Sequence, residues 1–231
     1  MQTLSIIVPV LNEAAGIVDA LTALAPLRAR GAEVIVVDGG SRDDTLRLAA
    51  IHCDRAFTAR RGRAAQMNAG AAMARGDVLL FLHADTRLPD NADALVAQAL
   101  DSSGRAWGRF DVAIAGEHWL LPVVAQLMNW RSRITGIATG DQATFIKRET
   151  FAAVNGFPDI ALMEDIAMSA ALKHVSRPAC VAERATTSGR RWETRGVLRT
   201  ILLMWRLRLA YYFGAKPDAL ARRYGYVPRE S

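Results

Sequence analysis

The sequence predicts an α/β fold: a mostly parallel sheet flanked by helices, with further helices at the C-terminal end. Within the first 90 residues, three apolar runs of β type break off into acidic or amide side chains. They are Ser5–Glu13 (SIIVPVLNE), Val34–Ser41 (VIVVDGGS) and Val78–Thr86 (VLLFLHADT). Parallel strands buried on both faces read as unbroken Val, Ile and Leu in this way. The segments between the runs read as helices, and such alternation indicates parallel pairing through right-handed crossovers.

In chain order, the first strand covers 3–10 and a helix follows near 13–29. Glu33–Asp38 forms the second strand. Asp43–Ala50 reads as a short helix entered through Ser41, a residue type that caps helix N-termini. A third strand lies near Arg55–Thr58, followed by a helix around Ala64–Ala74 that Gly76 stops. Val78–Leu82 is the next strand, and Pro89 opens a helix to about Leu100. Then come a strand at Trp107–Ala113, a helical stretch at Glu117–Ile134, a strand at Ala143–Lys147 and helices near 149–153 and 164–174. Residues 194–213 and 216–224 read as helical.

At 231 residues the chain is long enough for one α/β domain with a full core. A hydrophobic content of 51% excludes a disordered chain. The N-terminus enters a strand without a basic n-region or apolar h-region, so no signal peptide is expected. No apolar run reaches about 18 residues, so no spanning helix is expected. Cys53 and Cys180 lack metal-ligand spacing and read as buried, reduced thiols of a cytoplasmic protein. The net charge of +6 is unevenly placed. Arg184–Ser231 holds eleven Lys and Arg against three acids, while the first 183 residues hold 18 against 20. That asymmetry suggests an anionic partner for the tail, either the inner face of the cell membrane or a phosphorylated substrate; nucleic acid is not expected. It divides the chain into a ligand-binding domain, 1–183, and a basic, mostly helical extension, 184–231, packed on it.

In an open α/β sheet, ligands sit in the crevice at the carboxyl ends of the strands. The three run ends put Asn12 and Glu13, Asp38 and Asp85 along one rim, which suits a polar ligand with hydroxyls and a metal-bridged anion. Asp38 either meets that ligand, with Gly39 and Gly40 letting backbone come close, or caps the turn the glycines make. Asp85 offers the hard oxygen that Mg2+ or Mn2+ takes alongside substrate phosphates, or it caps the loop before Pro89. Arg60, Arg61 and Arg63 precede a helix bearing Gln66 and Asn68. They form either an anion site, aided by the helix dipole, or a solvated basic turn. Glu164 and Asp165 follow a Gly156-Phe157-Pro158 turn, as proton acceptors or as acids that a helix N-terminus favours.

Four segments in order carry a family resemblance: IIVPVLNE, VVDGGSRDDT, GRAAQMNAGAAMARGDVLLFLHADT and GDQATFIKRETFAAVNGFPDIALMEDIAMSAAL. From Leu4 to about Leu172 the chain resembles the family-2 glycosyltransferases with the GT-A fold. The match is to a small bacterial subgroup with His-Ala-Asp, Gly-Asp-Gln and Met-Glu-Asp motifs. The resemblance implies a GT-A-like, Rossmann-like sheet. It implies inverting transfer of a sugar from a UDP- or GDP-type nucleotide-diphosphate donor to an acceptor hydroxyl, which can be lipid-linked, with divalent Mn2+ or Mg2+. By the same resemblance Pro9, Asn12, Glu13, Asp38 and Ser41 line the donor pocket, with Arg63 and Asn68 near its base and phosphates. Ala84 and Asp85 also bind the donor, with Asp85 the metal ligand. Asp165 becomes the general base, Glu164 orients or caps, and Asp141 is a second candidate for acceptor contact. The family's acidic motif usually reads Asp-x-Asp; here His83 stands first, as a ribose-side contact or a structural histidine. Ser188-Gly189-Arg190-Arg191-Trp192 is similar to the Gln-x-x-Arg-Trp motif of processive members, with Ser for Gln. Arg191 would then hold the diphosphate and Trp192 stack on a sugar; otherwise the segment is a basic surface turn.

Other classes fit less well. A dinucleotide oxidoreductase needs Gly-x-Gly-x-x-Gly after the first strand, where this chain has Pro9-Val10-Leu11-Asn12-Glu13. A sugar-nucleotide nucleotidyltransferase would carry a Gly-rich basic loop there. A non-catalytic module that binds membranes or partners is opposed by intact Asp38, Asp85 and Asp165. In the extension, Leu198, Ile201, Leu202, Trp205, Leu209 and Tyr212 share one helical stripe. Arg195, Arg199 and Arg206 border one side and Arg208 the other, as in an interfacial helix that reads anionic lipid. Leu203, Met204 and Leu207 make the opposite face apolar too, which fits a helix docked on the domain or in a homodimer.

Overall fold

A computed structural model describes residues 2–226; 227–231, the end of the basic extension, lie outside the described residues. Eight strands make one sheet: β1 (Leu4–Val10), β2 (Glu33–Asp38), β3 (Arg55–Thr58), β4 (Val78–Phe81), β5 (Thr86–Arg87), β6 (Trp107–Ala115), β7 (Phe145–Lys147) and β8 (Ala179–Ser188). Their spatial order is β3-β2-β1-β4-β7-β6-β8-β5. The β1–β2, β1–β4, β2–β3 and β6–β8 pairs are parallel. Strand β7 runs antiparallel to β4 and β6, and β5 antiparallel to β8. The result is the mostly parallel α/β sheet that the sequence predicts.

Helices α1 (Ile17–Thr22), α2 (Ala25–Ala29), α3 (Thr45–His52), α4 (Arg63–Met73), α5 (Ala92–Ser103), α6 (Leu121–Thr135), α7 (Arg148–Ala153) and α8 (Glu164–Lys173) cover the sheet. Strand alternation sorts them. Ile6, Val8, Val34, Val36 and Leu80 pack with Ile17, Leu27, Ala49, Val96 and Leu100, so α1, α2, α3 and α5 lie on one face. Ile7, Ile35, Val37 and Leu79 pack with Met67, Phe151, Met168 and Leu172, which puts α4, α7 and α8 on the other. Each fully buried aliphatic side chain of these layers stabilises by about 1.5–3 kcal/mol.

Four details differ from the sequence reading. The helix expected at 13–29 is two, because Pro26 in the first turn of α2 lacks an N–H and cannot continue α1. Helix α3 starts at Thr45 with Asp44, not Ser41, at its N-cap position. Cys53 and Cys180 are free but half-buried rather than buried. Strand β8 appears where no strand is expected, pairing along β6 with an irregularity at Phe110/Asp111. It crosses the 183/184 boundary, so the basic extension begins inside the sheet.

After β8 come α9 (Arg190–Arg195), α10 (Val197–Tyr212) and α11 (Pro217–Tyr224). Val197 of α10 packs with Val112, Leu121 and Val124, and Leu207 with Met163 and Leu220. Leu198, Leu202, Trp205, Leu209 and Tyr212 stay exposed. Among the described residues no helix is long and apolar enough to cross a membrane.

Candidate active site

Strand β1 outruns its neighbour on one side. It pairs with β4 up to Ile7–Phe81 but with β2 up to Val10–Asp38. A crevice therefore opens between the ends of β1 and β4, at the switch point where α/β sheets bind ligands. Pro9 sits in the stretch beyond β4, where its missing N–H costs no ladder bond.

The loops after β1 and β2 are tied together at this crevice. Asn12, in the left-handed region at φ 54°, donates its N–H to Ser41 Oγ at 2.8 Å and accepts from Arg42 N–H through Oδ1 at 2.8 Å. Ser41 Oγ donates to Asp38 Oδ1. Asp38 Oδ2 accepts the N–H groups of Gly40 at 2.9 Å and Ser41 at 2.8 Å. Asp38 is 2% exposed and holds the glycine turn through these bonds. Ser41 serves as a bridge rather than a helix cap. Gln66, unassigned from sequence, donates to the carbonyls of Val10 and Val37, each at 2.8 Å. It comes so near Gly39 that a Cβ there would stand 2.9 Å from Gln66 Oε1.

After β4, Thr86 N–H donates to the His83 carbonyl at 3.0 Å and closes a turn. That turn leaves Ala84 half-buried and Asp85 exposed. Ser188 N–H donates to the Asp85 carbonyl at 3.1 Å and ties the turn to β8. Burial first, then the charge of Asp85, pushes the Glu13 carboxyl above its usual range, against the pull of Arg190. Among the described residues no group of three or more His, Cys, Asp or Glu could hold a metal ion. One exposed carboxylate beside a half-buried second suits Mn2+ or Mg2+ completed by ligand phosphates and water, not an all-protein cage.

The third wall is acidic. Met163 has φ 72°, a conformation that costs a bulky residue roughly 1–3 kcal/mol, and it turns the chain into α8. Leu207 and Leu220 pack on it. Asp165, in the first turn, accepts Gly140 N–H through Oδ2 at 3.0 Å and Ile166 N–H through Oδ1 at 2.7 Å. Asp141 lies 3.3 Å from His83 Nδ1. Burial works to raise the Asp141 carboxyl, but the hydrogen bond and charge of His83, with Arg63 and Arg191, hold it below the usual range. His83 covers Gly140 so closely that a Cβ there would meet the ring at 2.3 Å. Glu164 is 2% exposed and pairs with Arg63 at 3.2 Å. Burial pushes its carboxyl up, opposed by Arg63 and reinforced by Asp165. Against the burial that works to lower it, Glu164, Asp165 and Asp141 keep the Arg63 guanidinium above its ordinary value.

Two of the expected donor-site residues make contacts within the protein. Asn68 spends its amide on the Phe157 backbone, donating to the carbonyl at 2.8 Å and accepting the N–H at 2.9 Å. It holds the turn before α8. Trp192 is half-buried and packs against the cluster around Val112, Leu121 and Val197. Arg191 lies in electrostatic reach of two of these acids. Burial, then Arg63 and Arg195, lowers its guanidinium, while Asp141 and Asp85 are close enough to oppose them. It lies 4.6 Å over the Tyr224 ring.

Sequence reasoning missed Arg131 on α6 and did not place Arg208 of α10 in the site. Arg131 Nη2 and Arg208 Nε are buried without a hydrogen-bond partner among the described residues. Such a donor costs on the order of 1–3 kcal/mol. Burial, then the neighbouring Arg208, lowers the Arg131 guanidinium to about 10, with Asp165 opposing. Burial also lowers Arg208, against Asp165 and Asp141.

A crevice at the switch point of a mostly parallel sheet, walled by acids from three loops, defines an α/β protein of the GT-A class. The sequence profile of Glycosyl transferase family 2 matches residues 5–154, and the chain belongs to that family. No curated protein matches it. Among solved structures, it is similar to S. aureus TarS 1-349, with TM-score 0.65 and 17% identity over 82% of this chain and 61% of that one. It is similar to the Pyrobaculum calidifontis mannosyltransferase PcManGT, in complex with GDP-Man and Mn2+, with TM-score 0.64 and 22% identity over 97% and 65%. It is also similar to M. tuberculosis glucosyl-3-phosphoglycerate synthase, with TM-score 0.60 and 20% identity over 80% and 71%. The chain thus spans less than two thirds of the TarS and PcManGT chains, and at these identities the likeness is one of fold.

Proposed function

We propose that the protein is an inverting glycosyltransferase, moving a sugar from a UDP- or GDP-type donor to an acceptor hydroxyl with a divalent cation. Family membership supports this, as do the structures of TarS with UDP-GlcNAc and of PcManGT with GDP-Man and Mn2+. The observation that carries it is the Asp165 carboxylate, aimed by Gly140 N–H beside Asp141, with Arg191 in electrostatic reach of both Asp141 and Asp85.

On this reading the nucleotide lies along Pro9, Asn12 and Glu13, against the turn that Asp38 and Ser41 hold. Asp85 would hold Mn2+ or Mg2+ together with the donor's own phosphates, and the ion would supply neutralising charge for the departing diphosphate. Arg191 adds a second positive group there. Asp165 accepts the proton of the acceptor hydroxyl as its oxygen bonds to the anomeric carbon. The carbon–oxygen bond to the diphosphate breaks on the opposite face, and its electron pair leaves with the diphosphate. Glu164 fixes Arg63, and Asp141 meets the acceptor. The exposed faces of α6 and α10 rest on an anionic membrane, which would suit a lipid-linked acceptor.

Thermal shift against a panel of UDP- and GDP-sugars, with and without Mn2+, tests the reading. Stabilisation by a nucleotide sugar that needs Mn2+ and is lost in Asp85→Ala supports it. Failure of every nucleotide sugar to stabilise the protein sinks it.

A further inference from the structure

Resting on the transferase reading above, we infer that Arg131 and Arg208 form a subsite for a phosphate monoester carried by the acceptor, beside Asp165. Val124 and Met128 of α6 and Val197 and Ile201 of α10 pack in one apolar cluster. Arg131 stands seven residues beyond Val124 and Arg208 seven beyond Ile201, so each continues its own helix's share of that seam. Further along α10, Leu203, Ala210 and Tyr211 pack with Met163 and Ile166, which sets this end of α10 against the start of α8. The two arginines therefore meet at a junction of three helices, where Asp165 stands.

Their lack of partners points to a ligand. Neither guanidinium forms an ion pair or a hydrogen bond with a described residue, and each has a buried N–H that nothing accepts. Arg109 also has an unpartnered buried Nε, but its guanidinium is otherwise held, pairing with Asp111 and donating to the Asn129 carbonyl at 3.2 Å; Arg131 and Arg208 have no such pair. Asp165, close in charge to both arginines, directs its two oxygens to backbone N–H groups instead. Both side chains are half-buried; holding two like charges together with unpartnered buried N–H groups is costly, and an anion removes that cost. A phosphate monoester carries about −1.5 to −2 near neutral pH, enough for two guanidiniums, where one carboxylate would offset one. Arginine forks also match phosphate oxygens in pairs. Asp165 and Asp141 repel the anion, so it must engage both arginines to bind. Phosphate held there brings the acceptor hydroxyl next to Asp165.

The phosphate can belong to a soluble acceptor or to a lipid headgroup. Calorimetry of the full chain with glycerol 3-phosphate, without donor, probes the first. Co-sedimentation with phosphatidylcholine vesicles, with and without phosphatidic acid, probes the second. Arg131→Gln and Arg208→Gln are each expected to weaken phosphate binding about tenfold or more. Arg131→Lys and Arg208→Lys, which keep the charge, should fall between and serve where a Gln variant melts early. Arginine-dependent binding of glycerol 3-phosphate upholds the subsite with a soluble acceptor; arginine-dependent binding to phosphatidic acid vesicles alone upholds it with a lipid one. No binding of either probe, or binding that all four variants leave unchanged, overturns it. UDP and GDP titrations run separately: their failure in the wild type defeats the transferase reading and leaves the phosphate result standing as an anion site.

Discussion

Gly140 donates its backbone N–H to Asp165 Oδ2 at 3.0 Å, and the next residue, Asp141, lies 3.3 Å from His83 Nδ1. The turn after β4, the 140–142 turn and the start of α8 are therefore mechanically one unit. A change at Asp165 acts on a carboxylate whose direction is already fixed.

Asp165→Asn keeps the size and one acceptor oxygen while removing the proton-accepting carboxylate. The expected outcome is a kcat lower by about 10²-fold or more with donor Kd little changed, while the loss of one of the two backbone N–H bonds to Asp165 costs about 1–3 kcal/mol of stability. Single-turnover kinetics beside calorimetry measure the two separately. A near-normal kcat would transfer the role to Asp141.

Asp85 is exposed and its backbone, not its side chain, ties the turn to β8. Asp85→Ala should therefore leave Tm within about a degree or two, as for most surface substitutions. It should also remove most of the Mn2+-dependent part of UDP or GDP affinity. Calorimetry with and without Mn2+ checks this, and equal metal-dependent affinity in the variant rules Asp85 out.

Much of this arrangement is legible in the sequence where burial is symmetric. Strands β1, β2 and β4 are apolar on both faces, so their ends, and the polar residues at them, can be read directly. Strand β8 hides because its buried positions are Ala179, Val181, Ala185 and Thr187 and its middle is Glu183-Arg184, a pattern that resembles a charged linker. The roles of Asp38, Asn68 and Trp192 turn on which neighbour takes their polar atoms or ring, which spacing does not encode. Arg131 and Arg208 lie on helices far apart in sequence; the signal available was an arginine on the stripe that each helix turns inward.

Glu13 gives a pH signature. Its folded carboxyl titrates above the ordinary 4.5, through burial and Asp85. The native state thus holds the proton longer than the unfolded chain. Stability from that retention is present below about 4.5 and lost as pH rises through the folded value. Glu13→Gln, which cannot ionise, should raise Tm relative to wild type at neutral pH without metal. The gap should close near pH 4, below the ordinary value. A gap independent of pH would remove ionisation as the cause.

Asn68→Ala tests structure against binding. Both halves of its amide serve Phe157, so the loss should cost about 1–3 kcal/mol of stability. Donor affinity should stay within about twofold. Denaturant unfolding gives the first quantity and calorimetry the second. An unchanged midpoint with weakened nucleotide binding would return Asn68 to the donor pocket.

The last prediction concerns the exposed side of the extension. Trp205 is 71% and Trp130 61% exposed. They belong to two rows, Leu198, Leu202, Trp205, Leu209 and Tyr212 on α10 and Val123, Leu127, Trp130 and Ile134 on α6. Each row repeats at helical spacing, and α10 already buries Val197 and Leu207 on the domain, so the exposed rows are not its docking face. Exposed Arg199 and Arg206 lie on α10 with this row, whereas Arg195 ends α9 and donates to the Tyr224 carbonyl; each basic residue at an anionic surface contributes about 1 kcal/mol. The protein should co-sediment with anionic vesicles at low salt, release at high salt, and lose most binding in Trp205→Glu. Sedimentation equilibrium on the same variants separates this from self-association. A concentration-dependent dimer that Trp205→Glu dissolves, with no vesicle binding by the wild type, would make the row a contact between copies of the chain.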